Sequence, residues 1–149
     1  MAMAERRAEV VWEGNLTQGK GQITKTGSGA FPNGLPVTWA SRVERSDGRT
    51  SPEELIAMAH ASCYAMALSH TLNEAGHPPE RLQVSSVVTV EQVPGGIKVG
   101  ESRLEVRGRV LGLDQAGFEE MAKKGEQGCP ISNALRASVN ISLKATLEG

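Results

Sequence analysis

The chain contains two cysteines, Cys63 and Cys129, and these are the residues best equipped for chemistry. Cys63 sits in Ala59-His60-Ala61-Ser62-Cys63-Tyr64-Ala65-Met66-Ala67, where small neighbours leave room for another segment or a substrate to approach its sulfur. Cys129 follows Gly128 and precedes Pro130, where a short helix begins and unpaired backbone amides favour an anion. Such a position lowers a thiol pKa. The plain alternative is a pair of buried thiols, Cys63 filling the core and Cys129 an incidental helix cap; a structural disulfide is not expected in a cytoplasmic chain of this size. His60 precedes Cys63 by one helical turn, and a Cys–His pair is one way to make a nucleophile and its base. No third residue is spaced to orient that pair, so His60 reads better as a core histidine with satisfied hydrogen bonds. His70 and His77 have less to recommend them. His60, Cys63 and Cys129 lack any recognised ligand spacing, so no metal site is expected. Gly19-Lys20-Gly21 and Gly27-Ser28-Gly29 match no phosphate-binding fingerprint and read as turns.

These side chains need elements to position them. Ser51-Pro52-Glu53-Glu54 carries an N-cap hydroxyl, Pro at the first helical position and a Glu that completes a capping box. Capping and the helix dipole suffice to explain Glu53 and Glu54 by themselves. From Leu55 to Leu72 the residues are almost all apolar or small, which predicts a helix buried on every side at the centre of the fold. Histidines, small polar residues and flanking glutamates argue against a membrane span. Before this helix, Ala8, Val10 and Trp12 alternate with charged residues as in a half-buried strand. Val37, Trp39, Ser41 and Val43 alternate with Thr38, Ala40, Arg42 and Glu44, predicting a strand with Arg42 on the face opposite Trp39. After the helix, Val84, Ser86, Val88 and Val90 alternate, Pro94-Gly95-Gly96 turns the chain, and Ile97 to Leu111 completes a hairpin. Asp114 caps a second helix that runs to about Gln127, Cys129-Pro130 opens a third, and Val139 to Leu147 alternates as a final strand. This order predicts one α+β domain over residues 1–149, with mostly antiparallel pairing.

Composition sets outer bounds. The 149 residues carry 16 Lys+Arg against 17 Asp+Glu, a net charge of −1 that argues against nucleic acid as a partner. Five aromatics are too few for base-stacking platforms. The polar, charged N-terminus shows no signal-peptide or spanning stretch, so a soluble cytoplasmic protein is expected.

Two segments together carry a family resemblance. Ser51-Pro52-Glu53-Glu54-Leu55-Ile56-Ala57-Met58-Ala59-His60-Ala61-Ser62-Cys63, followed by Tyr64-Ala65-Met66-Ala67-Leu68-Ser69, resembles the central helix of the OsmC/Ohr family of osmotically inducible and organic hydroperoxide resistance proteins. Gly128-Cys129-Pro130-Ile131-Ser132-Asn133-Ala134-Leu135 is similar to its second cysteine segment. The order of elements is similar over nearly the whole chain, and His60 with Met66-Ala67-Leu68-Ser69 leans towards the OsmC branch.

The resemblance implies antiparallel sheets around a long buried helix, an intertwined homodimer and a thiol-dependent peroxidase acting on organic hydroperoxides and hydrogen peroxide in oxidative-stress defence. It implies Cys63 as the peroxidatic and Cys129 as the resolving cysteine, with Glu53 as the family acidic residue and Arg42 as its arginine. Arg42 is preferred to Arg45 and Arg49 because a strand would fix its direction. Arg42 would favour the thiolate and the developing alkoxide, and Glu53 would hold the guanidinium. Only an external thiol or dithiol reductant is needed, with no metal, haem or flavin. The competing reading is a non-peroxidatic protein of the same fold that binds a small ligand or sulfur compound. Ten residues of helix separate Glu53 from Cys63 by roughly 15 Å, so the simplest shared site takes its cysteines from one chain and Glu53 from the other.

Overall fold

The computed structural model describes residues 1–149 and divides into two units, Met1–Pro52 and Glu53–Gly149. In the first unit, strands β1 (Ala8–Glu13), β2 (Lys20–Thr26) and β3 (Leu35–Val37) form an antiparallel sheet in that order. Gly21 of β2 lies beneath the Trp12 ring; a Cβ there would come within 2.7 Å of Trp12 Cε3. The alternation of β1 predicts one buried face, but all six of its residues are exposed, including Val10, Val11 and Trp12.

The segment after β3 departs from expectation. Residues Trp39–Val43 form a short helix, α1, rather than a strand. Thr38 is its N-cap: the Thr38 hydroxyl accepts from the Ser41 amide, and Ser41 Oγ accepts from the Thr38 amide at 2.9 Å. This reciprocal cap, absent from any alternation count, outweighs the β propensity of a period-2 pattern. Three residues apart on a helix share a side, so Arg42 lies over Trp39, its guanidinium carbon 6.0 Å from the ring centroid. The expectation that Arg42 projects opposite Trp39 from a strand is therefore corrected.

In the second unit, the long helix α2 (Pro52–Glu74) precedes a hairpin of β4 (Arg81–Val93) and β5 (Gly96–Arg109). Helices α3 (Gln115–Gln127) and α4 (Pro130–Leu135) then carry the chain to β6 (Asn140–Leu147). Asp114 caps α3 through the Gly117 amide at 2.8 Å, as its sequence predicts. The sheet order is β4-β5-β6, and β6 pairs with β5 in parallel, the one strand ladder that departs from antiparallel pairing. A parallel partner requires a long crossover, which α3 and α4 provide.

The inner face of β5 presents Ser102, Leu104, Val106 and Gly108, all buried. Leu104 and Val106 pack with Tyr64, Leu68 and Leu72 of α2, Phe118 and Ala122 of α3, and Cys129 in one apolar cluster. Glycine permits two close approaches. A Cβ on Gly108 would fall 2.5 Å from Phe118 Cζ, and one on Gly125 would fall 3.0 Å from Leu68 Cα. The helix α2 is not covered on every side. His60, Tyr64, Leu68 and Leu72, spaced by four, line its buried side, while Met58 and Met66 are 45% and 67% exposed. Within one chain, sheet and helix can cover only one side of a cylinder, so an all-apolar helix leaves the other bare.

Candidate thiol site

The two cysteines come from different elements and meet. Cys63 lies midway along α2 and is half-buried; Cys129 is the N-cap of α4 and fully buried. The two thiols lie close enough for Cys129, and with it the Ile131 backbone amide, to act on the ionisation of Cys63. The next amide, Ser132 N–H, donates to Cys129 Sγ at 3.5 Å. Consecutive amides of the first turn of α4 thus face the two sulfurs in turn, as helix-start amides lack intrahelical acceptors.

Burial pushes the Cys63 thiol pKa up, the Ile131 amide pulls it down, and Cys129 pushes it up again. The Ile131 amide is the one group here that favours the thiolate. A reactive thiolate at neutral pH therefore needs a further positive charge.

Beside the thiols runs a buried polar chain. His60 Nε2 and Ser132 Oγ are 2.7 Å apart, His60 Nδ1 and Ser102 Oγ are 2.7 Å apart, and Ser102 Oγ lies 3.0 Å from Ser86 Oγ. His60, Ser102 and Ser132 are wholly buried. Burial lowers the His60 pKa; nearby Glu126 raises it and Arg136 lowers it. The neutral imidazole has one N–H and one bare nitrogen, so one serine accepts from the ring and the other donates to it. The expectation of a core histidine with satisfied hydrogen bonds holds. Its serine partners escaped the sequence reading. The available signal was Ser102, a polar residue on the inner face of β5 in register with Leu104 and Val106.

Two further buried groups frame the site. Tyr64 Oη donates to the Ala122 carbonyl at 3.0 Å, and burial raises its pKa. Glu126 Oε1 stands 2.8 Å from Arg136 Nη2, a close ion pair without hydrogen-bond alignment.

The remaining expected site residues are Glu53 and Arg42. Glu53 is in the first turn of α2 and buried, ten residues before Cys63. On a continuous helix that separation is about 15 Å. Arg42 lies on α1 in the first unit. No group of three or more His, Cys, Asp or Glu side chains is placed to hold a metal ion, and no helix is long and apolar enough to cross a membrane.

Comparison with known proteins gives a consistent picture. The family described as OsmC-like protein matches residues 45–144. Peroxiredoxin OsmC of Escherichia coli (strain K12) is 35% identical over 136 residues, 91% of this chain and 93% of that protein. An organic hydroperoxide resistance protein of Xanthomonas axonopodis pv. citri is 32% identical over 95 residues, covering 63% of this chain and 65% of that one. Among solved structures, the organic hydroperoxide resistance protein OhrB of Bacillus subtilis superposes with a TM-score of 0.72 at 23% identity, covering 93% of this chain and 97% of that one. An OsmC protein of Legionella pneumophila gives a TM-score of 0.73 at 24% identity, covering 98% of this chain and 99% of that one.

Proposed function

Because the chain belongs to the OsmC-like protein family, we propose that it is a thiol-dependent peroxidase that reduces organic hydroperoxides and hydrogen peroxide. The observation that carries this reading is a half-buried thiol, Cys63, lying against a wholly buried second thiol, Cys129, both free. A small oxidant reaches the first sulfur and not the second, which sets the order of events.

The Cys63 thiolate attacks one oxygen of the hydroperoxide. An S–O bond forms, the O–O bond breaks, and the alkoxide leaves as the alcohol once protonated, with Cys63 now a sulfenic acid. Cys129 then attacks that sulfur. The S–S bond forms, the S–OH bond breaks, and the hydroxide departs with the Cys129 proton as water. An external thiol or dithiol returns both sulfurs to thiols by exchange. The apolar residues around Cys63 suit an organic hydroperoxide.

The positive charge that the thiolate needs is assigned to Arg42, with Glu53 holding its guanidinium through a bidentate pair. Ten residues of α2 keep Glu53 away from the Cys63 of its own chain. We therefore assign Glu53 to the partner's thiol in a two-fold homodimer. The exposed apolar residues of β1 and the bare Met58 and Met66 of α2 are surfaces that a second copy would cover.

The test compares cumene hydroperoxide and hydrogen peroxide consumption with a dithiol reductant. Cys63→Ser should abolish turnover. Cys129→Ser should consume one equivalent and stop with Cys63 oxidised. A digest of peroxide-treated wild type should yield Cys63 and Cys129 peptides joined within one chain. Near-wild-type turnover by both variants would reject the mechanism.

A further inference from the structure

The reaction above uses neither of the two fully buried titratable side chains beside the thiols: Tyr64 donates to the Ala122 carbonyl of α3, which leaves His60. Its geometry is directed at the second cysteine's segment. Counting from the Cys129 N-cap, Ser132 is the third residue of α4. Its amide donates to Cys129 Sγ, and its hydroxyl lies 2.7 Å from His60 Nε2. One residue thus joins α4 to α2 a single turn before Cys63. The other ring nitrogen is held by Ser102 on β5, backed by Ser86 on β4, so the imidazole cannot swing with the α4 segment.

From this three-sided grip we propose that His60 is a positioning residue for the resolving step: through Ser132 it holds the first turn of α4 so that Cys129 meets oxidised Cys63. The proposal rests on the peroxidase reading. Of the two cysteines peroxide attack uses only Cys63, carried on a continuous helix, and of α4 only the Ile131 amide bears on that thiolate. The resolving step instead requires two sulfurs from two elements to come into bonding contact, and a misplacement of about 1 Å between reacting groups can lower a rate on the order of a hundredfold. That step exchanges the S–OH bond of Cys63 for the S–S bond, with the Cys129 proton leaving in water, so His60 gains and loses no proton over the cycle. A neutral imidazole suits this role, since its single N–H lets it donate to one serine and accept from the other.

The experiment separates the two steps by rapid mixing with one equivalent of cumene hydroperoxide. Peroxide loss reports attack; quenched mass spectrometry and dimedone trapping report the Cys63 sulfenic acid and its conversion to disulfide. His60→Leu and Ser132→Ala should each slow disulfide formation at least about tenfold while attack changes less than about threefold. The double variant should be no slower than the worse single one, because both remove the same link. Dimedone adducts of Cys63 should accumulate in both, and a second equivalent of hydroperoxide should carry the unresolved Cys63 on to the sulfinic acid. If His60→Leu loses its fold, as a circular dichroism melt would reveal, Ser132→Ala removes only one hydroxyl and carries the test. Wild-type disulfide formation in Ser132→Ala, or equal slowing of attack and resolution, would overturn the role of His60 while leaving the peroxidase reading standing. Failure of the wild-type protein to consume peroxide would overturn both.

Discussion

A composite active site can be tested by mixing two dead proteins. Cys63→Ser keeps Glu53 but has no nucleophile; Glu53→Ala keeps both cysteines but lacks the carboxylate. Both residues lie on α2, a single uninterrupted helix from Pro52 to Glu74. Ten residues at ~1.5 Å each place them roughly 15 Å apart along the axis, and ten steps of about 100° leave them some 80° apart around it. No rotamer of Glu53 spans that gap, so in the proposed dimer the Glu53 that serves a thiol comes from the other chain. If equal amounts of the two variants exchange subunits at random, half of the dimers are mixed. Each mixed dimer has one site with an intact cysteine pair facing an intact Glu53 and one site lacking both. The mixture should therefore recover about one quarter of the wild-type peroxide consumption per chain. Native mass spectrometry establishes that exchange has occurred, and a dithiol-coupled assay follows activity before and after. Complete exchange with activity still at the mean of the two parents would refute the shared site and place Glu53 outside the reaction.

Two other outcomes follow from the same geometry. Within its unit the Cys63 thiol is pushed up by burial and by Cys129 and pulled down only by the Ile131 amide, so its thiolate form depends on an added cation. Arg42→Gln should move the midpoint of Cys63 alkylation by iodoacetamide to higher pH, and Cys129, wholly buried, should label more slowly than Cys63 in both proteins; an unmoved midpoint would remove Arg42 from the site. In the core, Phe118 lies directly over Gly108, so Phe118→Ala should cost about 3–5 kcal/mol and Gly108→Ala about 1–3 kcal/mol in urea unfolding, the first by a cavity and the second by overpacking.

Much of this molecule is legible in one dimension because the governing interactions are local. The cap at Asp114, the Pro–Gly–Gly turn between β4 and β5, the run of small and apolar residues in α2 and the Gly128-Cys129-Pro130 helix start each act within a few residues, and each appears where the sequence places it. The small residues around Cys63 and the helix start at Cys129 make both thiols candidates from their neighbours in the chain. Local rules misled at Trp39–Val43, where an alternating pattern that fits a strand is overruled by the Thr38–Ser41 cap, so that Arg42 rides on a helix over Trp39. They were silent on everything that depends on distant partners. The parallel pairing of β6 follows from the course of α3 and α4 across the sheet. The bare side of α2 exists because helix and sheet in one chain cover only its His60–Tyr64–Leu68–Leu72 line. The meeting of Cys63 with Cys129, and the bridge from Ser102 through His60 to Ser132, join residues 30 to 72 positions apart. A serine or a histidine carries no sequence mark of which hydroxyl it will face, since that choice is made only when packing removes water and every buried polar group must find a partner.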